Sequence, residues 1–227
     1  KYLREVKDKQ ITIILDCAHS LYFDSKTNVV LRSPRKFIPI TDGGILSTNE
    51  YIYLDRLSID DSSKERDMFL KLRSSKQVSR GYELFLENEN YLYNQEPKIM
   101  SLKTRYILEN FNHHNALRRR IDNFNFLHSK LKSFNNLSYL IDLKNICSPL
   151  YYPFLFMGNK ILRKLLIKNK IYIPVLWPDI SYRKLNKFEI LLIEECLFLP
   201  IDQRYTSSEM LYVAELIISN IGHNIFE

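Results

Sequence analysis

Apolar residues fall into short runs near the two ends of this chain and into three- and four-residue steps in its middle. Residues 11–15 (Ile-Thr-Ile-Ile-Leu) are apolar at four of five positions and mostly β-branched, the pattern of a strand buried on both faces. Residues 28–33 read as the next strand. Asp42-Gly43-Gly44 is a turn whose glycines can take positive φ, and residues 45–48 return from it as a third strand. Residues 1–9 form a charged, helical lead-in, and residues 21–28 mix aromatics with turn formers as a loop. Helices are predicted near residues 64–74 and 82–89, and Pro97 ends that region. In residues 101–134, Leu102, Tyr106, Leu117, Ile121, Phe124, Leu127 and Leu131 recur at helical spacing, as one long helix or two in series.

The last third alternates again. Strands are predicted over residues 137–143, 151–156, 171–178 and 196–201, with an amphipathic helix over 159–168. A final helix starts at a Ser207 or Ser208 cap, with Glu209 in its first turn, and runs to Asn220. The order is that of an α/β fold.

Composition narrows the picture. A chain of 227 residues, 45% hydrophobic, is one large domain or one and a half. It has no uncharged apolar run of 18 residues, hence no membrane span, and no signal peptide opens it. Cys17, Cys147 and Cys196 stand too far apart for a metal motif or a disulfide ladder, which fits a reduced, cytoplasmic protein. The net charge of +7 suggests nucleic acid only at first sight. The basic residues are spread among 26 acidic ones without stacking aromatics between them, so a solvated surface is the reading, and Arg118-Arg119-Arg120 is a solvated helix face. His113 and His114 are adjacent and point to different sides of a helix, so no metal site is expected there.

Two stretches carry candidate chemistry. Lys36 follows the β-prone run Val29-Val30-Leu31, stands three residues after Ser33, and precedes Phe37-Ile38 and the Gly-Gly pair. A lysine flanked by buried chain tends to lose its proton and become a nucleophile able to form Schiff bases with carbonyl compounds, pyridoxal phosphate included. The alternative is a surface lysine in a lysine-rich chain. Asp16 ends the run of residues 11–15, at the carboxyl end of a strand, where open α/β sheets bind ligands. It either pairs with a cation such as a protonated pyridine nitrogen or caps the turn that follows.

Together, Asp16-Cys-Ala-His-Ser20, Ser33-Pro-Arg-Lys36 and Pro39-Ile-Thr-Asp-Gly-Gly44 resemble the core of the DegT/DnrJ/EryC1/StrS aminotransferases, fold-type-I enzymes dependent on pyridoxal 5'-phosphate. The resemblance implies that Lys36 is the Schiff-base lysine and Asp16 the partner of the pyridine nitrogen. It places His19 near the cofactor's phenolic oxygen and Ser33 at its phosphate. Pro34-Arg35 departs from the longer aromatic stretch of the sugar enzymes, and Asp16 and Lys36 are closer together than in many of them. The chain matches from the middle of the family's large domain to its C-terminus. The resemblance thus implies residues 1–100 as the remaining part of the cofactor-binding large domain, 101–134 as a linking helix and 135–227 as a small α/β domain. The implied reaction moves an amino group from an amino acid, glutamate or glutamine, to a keto-sugar nucleotide in surface-polysaccharide or secondary-metabolite biosynthesis.

In the small domain, Trp177 is either interface packing or a substrate contact, and Arg204 either binds an anionic amino donor or sits in a solvated salt bridge. Alternatives to the enzyme are a truncated, non-catalytic partner subunit and a pyridoxal-phosphate enzyme for another keto substrate, such as a cyclitol. A dehydratase relative would carry histidine in place of Lys36. The family also implies a homodimer, with Tyr22, Phe23, Tyr51, Tyr53, Tyr91 and Tyr93 as aromatics outside the expected cores.

Overall fold

The computed structural model describes residues 11–23, 29–54, 56–62, 66–75, 77–93, 95–176, 180 and 182–224. The helical lead-in expected over residues 1–9 and Trp177 lie outside them. The chain forms two compact units, Lys1–Asn112 and His113–Glu227.

The first unit is built on a three-stranded sheet in the order β1-β2-β3. β1 (Ile14–Cys17) runs parallel to β2 (Val29–Arg32), and β3 (Ile45–Thr48) is antiparallel to β2. In register, Asp16, Leu31 and Leu46 lie side by side on one face, next to Ile14, Val29 and Thr48. Burial on both faces, expected for β1, is not found. Cys17 and Val30 are buried on one side, but Ile14 is 63% exposed and Leu31 and Leu46 are exposed too. No described element covers that side. The turn into β3 depends on Gly43, at φ 90°, where a Cβ would come within 3.0 Å of Thr104 Cγ2.

Two helices follow, α1 (Met68–Ser74) and α2 (Val78–Tyr93), packed together through Phe69 and Phe85. Tyr91 and Tyr93 therefore belong to a helix rather than to an irregular segment. α3 (Leu102–Asn110) starts at Ser101, whose hydroxyl accepts the Thr104 N–H. The Ser101 N–H in turn donates to the buried Asp42, at 3.2 Å. Deep in this unit sits an ion-pair cluster, in which Arg66 pairs with Asp60 and lies 3.9 Å from Asp42.

The second unit begins with α4 (His113–Leu131), so residues 101–134 are two helices in series. β4 (Tyr151–Leu155) and β5 (Cys196–Pro200) form an antiparallel ribbon. α5 (Asn159–Lys168), α6 (Lys187–Glu195) and α7 (Ser207–Asn224) complete the unit. One core unites Leu127 and Leu131 of α4, Tyr152 and Phe154 of β4, Leu166 of α5, Leu199 of β5 and Ile217 of α7, all without solvent exposure.

Two expected strands are absent. Residues 137–143 hold short 3-10 turns at Ser138–Leu140 and Leu143–Asn145. Asn135 Oδ1 takes the N–H groups of Leu137 and Leu155, and Asp142 Oδ1 takes that of Lys144, so side chains displace a ladder. Residues 171–176 form no strand either. Pro174 has no N–H to give, and the Ile173 carbonyl accepts from Arg163 at 2.7 Å. α6 was not anticipated, although its signal is in the sequence. Asn186 and Glu189 form a capping box, each side chain meeting the other's backbone N–H.

Candidate active site

Because β1 and β2 are parallel, their carboxyl ends lie side by side, and both candidate stretches leave the sheet at that edge. After Asp16 the chain turns tightly. Ser20 N–H donates to the Cys17 carbonyl at 2.9 Å, and Asp16 Oδ1 accepts the Ala18 N–H at 2.8 Å. The expected cap role of Asp16 is thus real. It occupies one carboxylate oxygen, and Asp16 has no further hydrogen bond among the described residues. The turn presents His19.

After β2, Pro34–Lys36 form one turn of 3-10 helix. Phe37 and Ile38 N–H both return to the Pro34 carbonyl, at 2.8 and 2.9 Å. Pro34, Phe37, Ile38 and Ile40 are buried, and Phe37 meets the Tyr22 ring edge-on at 5.8 Å. The buried flank expected around Lys36 is there, but Lys36 itself is exposed. The short turn holds its backbone at the surface while its neighbours point inward.

Lys36 Nζ lies 2.6 Å from His19 Nε2. Two protonated groups at that distance would repel, so the geometry favours one proton between them. Crowding around its amine desolvates Lys36 and lowers its pKa; Arg35 pushes the same way, against Asp16 and Glu89. The His19 pKa is also lowered, by burial first and then by Lys36, while Asp16 opposes. Asp16 thus acts electrostatically on both members of the pair. The Cys17 thiol behind it is raised by burial and is a poor nucleophile. Ser33 precedes the 3-10 turn, and its side chain makes no capping bond there.

Sequence reasoning passed over Arg35 and Glu89. Arg35 grips the Glu89 carboxylate of α2 with both terminal nitrogens, Nη2 to Oε2 at 3.0 Å. Arg35 also lines a cavity of about 250 Å³ together with Asp42, Gly43, Arg66 and Tyr91. The only hint in the sequence was the charge of Arg35 itself; its partner is 54 residues away.

In the second unit, Arg204 is committed to Asp202, Nε to Oδ1 at 2.7 Å and Nη2 to Oδ2 at 3.3 Å. That hydrogen bond raises its pKa, against the cost of burial. Asp202 also accepts from Arg120, at 3.2 Å; Arg120 is buried, so the run 118–120 is not wholly the solvated helix face expected of it. No cluster of His, Cys, Asp or Glu able to hold a metal occurs among the described residues. No described helix is long and apolar enough to cross a membrane.

No known protein-family model matches the chain. No curated protein matches it either. Solved structures do. A DegT DnrJ EryC1 StrS aminotransferase from Brucella abortus aligns over 96% of this chain and 59% of its own, at TM-score 0.55 and 13% identity. PseC from Helicobacter pylori, an aminotransferase involved in the biosynthesis of pseudoaminic acid, aligns over 95% and 61%, at TM-score 0.54 and 15% identity. The fold is that of part of a fold-type-I aminotransferase. A sugar aminotransferase from Micromonospora echinospora adds a third likeness, over 93% and 59%, at TM-score 0.53 and 15% identity. This aminotransferase-fold chain spans about three fifths of the length of those structures, in keeping with a C-terminal portion. The fold is thus shared with the group of proteins that the motifs around Asp16 and Lys36 resemble.

Proposed function

We propose that this chain carries the amine-bearing part of the site of a pyridoxal-phosphate-dependent aminotransferase. It passes an amino group from an amino acid, glutamate or glutamine, to a keto-sugar nucleotide in surface-polysaccharide or secondary-metabolite biosynthesis, in the cytoplasm. The observation that carries the reading is the 2.6 Å contact of Lys36 with His19, under the influence of Asp16, at the parallel ends of β1 and β2. The residues present fit the cofactor. It needs an amine, an acid for its ring nitrogen, a hydrogen-bonding group for its phenolic oxygen and donors for its phosphate. Lys36, Asp16 and His19 answer the first three, and Ser33, whose side chain caps nothing in its own turn, offers a hydroxyl for the fourth.

When bound, the cofactor supplies an electron sink that stabilises a carbanion. Asp16 would hold the ring nitrogen in its protonated form. Lys36 would hold the cofactor through Nζ and would move a proton at that atom. His19 Nε2 orients the amine and shares its proton. Arg204 and Trp177 remain the candidates for the amino donor and the sugar, Arg204 only after exchanging its hold on Asp202. Lys36→Ala is expected to abolish the Schiff-base absorption band of cofactor-treated protein. A band that survives the substitution overturns the reading.

A second reading draws support from the uncovered sheet face. Asp16 stands there between exposed Leu31 and Ile14, open to water, which suits a non-catalytic partner subunit of the same fold. Absence of the band from unsubstituted protein purified with excess cofactor would favour it. The substrate could also be a keto compound other than a sugar. In either case we place the working unit as a homodimer, a form that would bury exposed aromatics such as Tyr51, Tyr53 and Tyr93. Sedimentation at micromolar concentration tests this, and a fully active monomer would refute it.

A further inference from the structure

Arg35 stands directly before Lys36 in the 3-10 turn, and the turn is tied down at both ends. Buried Pro34 anchors its start, and buried Phe37 and Ile38 anchor its exit. Between them the Arg35 guanidinium reaches α2, where both terminal nitrogens engage both oxygens of Glu89. A two-point guanidinium–carboxylate contact fixes orientation as well as distance. α2 is itself held in the unit by Phe69 against Phe85 and by Arg66 over the Tyr91 ring at 5.9 Å. The turn that presents the amine is thus braced by a helix far along the chain.

Charge adds a second role. The charged and titratable groups that act on Lys36 are His19, Asp16, Arg35 and Glu89. Arg35 is a fixed cation beside the amine, and Glu89 is the anion that balances it. We propose that Arg35 and Glu89 are positioning residues for Lys36, bracing its turn against α2 and setting, as a balanced pair, the charge under which its amine works. The proposal rests on the reading of Lys36 as the reactive amine.

The two partners act in opposite senses, which separates this role from a merely structural one. Arg35→Gln removes the cation and makes the Lys36 ammonium easier to keep. Glu89→Gln leaves the cation unbalanced and makes it easier to lose. If the pair only held the turn in shape, both substitutions would loosen it and move Lys36 alike.

The test is trace acetylation of the full chain across a pH series, with Lys36 resolved by peptide mass spectrometry and folding checked by circular dichroism. The reactivity midpoint of Lys36 is expected to rise in Arg35→Gln and to fall in Glu89→Gln. Each shift should be about half a pH unit, the size of one charge acting through water. The double variant should return close to the unsubstituted chain. Shifts in the same direction, or no shift in folded variants, overturn the proposal. In parallel, the unsubstituted chain is treated with pyridoxal phosphate and borohydride. A trapped adduct at Lys36 supports the underlying reading. Its absence, with opposite acetylation shifts retained, overturns the cofactor reading and leaves the effect of the charge pair on the amine standing.

Discussion

The two units are stabilised in different ways. The second has one continuous apolar core, drawn from α4, β4, α5, β5 and α7, and its strands bury Tyr152, Phe154 and Leu199 completely. Among its described residues the first has fewer buried apolar side chains, around Val30, Phe37, Ile38 and Phe69, supplemented by buried charge at Asp42, Asp60 and Arg66. One sheet face, with Ile14, Leu31 and Leu46, is covered by nothing among the described residues. Lys36, Asp16, His19 and Ser33 all lie in this first unit. Catalytic groups need charge, partial solvation and room for a ligand, and those features displace the packing that would otherwise stabilise the sheet.

The comparison is broken most directly by truncating one apolar side chain to alanine in each unit. Phe154→Ala should destabilise the second unit by about 3–5 kcal/mol, the usual cost of emptying a core aromatic site. Leu46→Ala, on the open face of the first, should change stability by less than about 0.5 kcal/mol. Urea unfolding of each variant, followed by fluorescence and circular dichroism, reads both numbers. A large loss for Leu46→Ala would mean that its face is covered in solution.

A second substitution tests the polar interior. Arg66→Leu removes the cation between Asp60 and Asp42 and strands two buried carboxylates, which should cost the first unit about 3 kcal/mol. Burial would raise the Asp60 pKa, but hydrogen bonds from Ser62 and Arg66 outweigh it, so the group is held below 3.8. Its stabilising contribution is present above that value and is lost as pH falls through the depressed one. In Arg66→Leu that loss should begin at higher pH, as an acid titration monitored by circular dichroism would register.

The smallest effect sharpens the picture of the second unit. There Asn135 donates to the Tyr152 hydroxyl at 3.0 Å, and that hydroxyl lies 3.3 Å from His128 Nδ1. Burial, then Lys132, lowers the His128 pKa below 6.5. The unfolded chain therefore binds this proton first, and stability falls as pH drops from 6.5 toward the folded value. A protonated His128 would also give Tyr152 a second donor in place of an acceptor. His128→Gln should flatten the pH dependence of the unfolding free energy from urea titrations between pH 7 and 5 by about 1 kcal/mol or less. An unchanged slope would remove His128 from the account.

Much of this was legible because the signals are local. A β-branched pair marked β2, short aromatic and aliphatic runs marked β4 and β5, helical spacing marked α4 and α5, and Asp42-Gly43-Gly44 marked the turn into β3. Lys36 and His19 come together because a parallel strand pair brings successive carboxyl ends to one edge; the resemblance implied only that both lie near one cofactor. What failed was non-local or hidden in side-chain chemistry. Asn135 and Asp142 captured backbone N–H groups and replaced a strand with 3-10 turns. The partnership of Arg35 with Glu89 leaves no periodic trace, since it joins a turn to a helix across β3 and α1. The exposure of Ile14 could not be read from its own neighbours, because a β-branched run looks the same whether or not anything packs on it.

One consequence concerns handling. β1 is the outermost strand of its sheet among the described residues, so its far edge presents backbone donors and acceptors beside exposed Ile14. Such an edge can template strand addition from a neighbouring molecule. At low ionic strength the +7 net charge keeps copies apart, and salt screens that repulsion. Concentrated solutions of this chain should therefore cloud on adding salt rather than clear, with light scattering rising as the Debye length shrinks. A lysine or proline placed at Ile14 should raise the clouding threshold without touching the second unit.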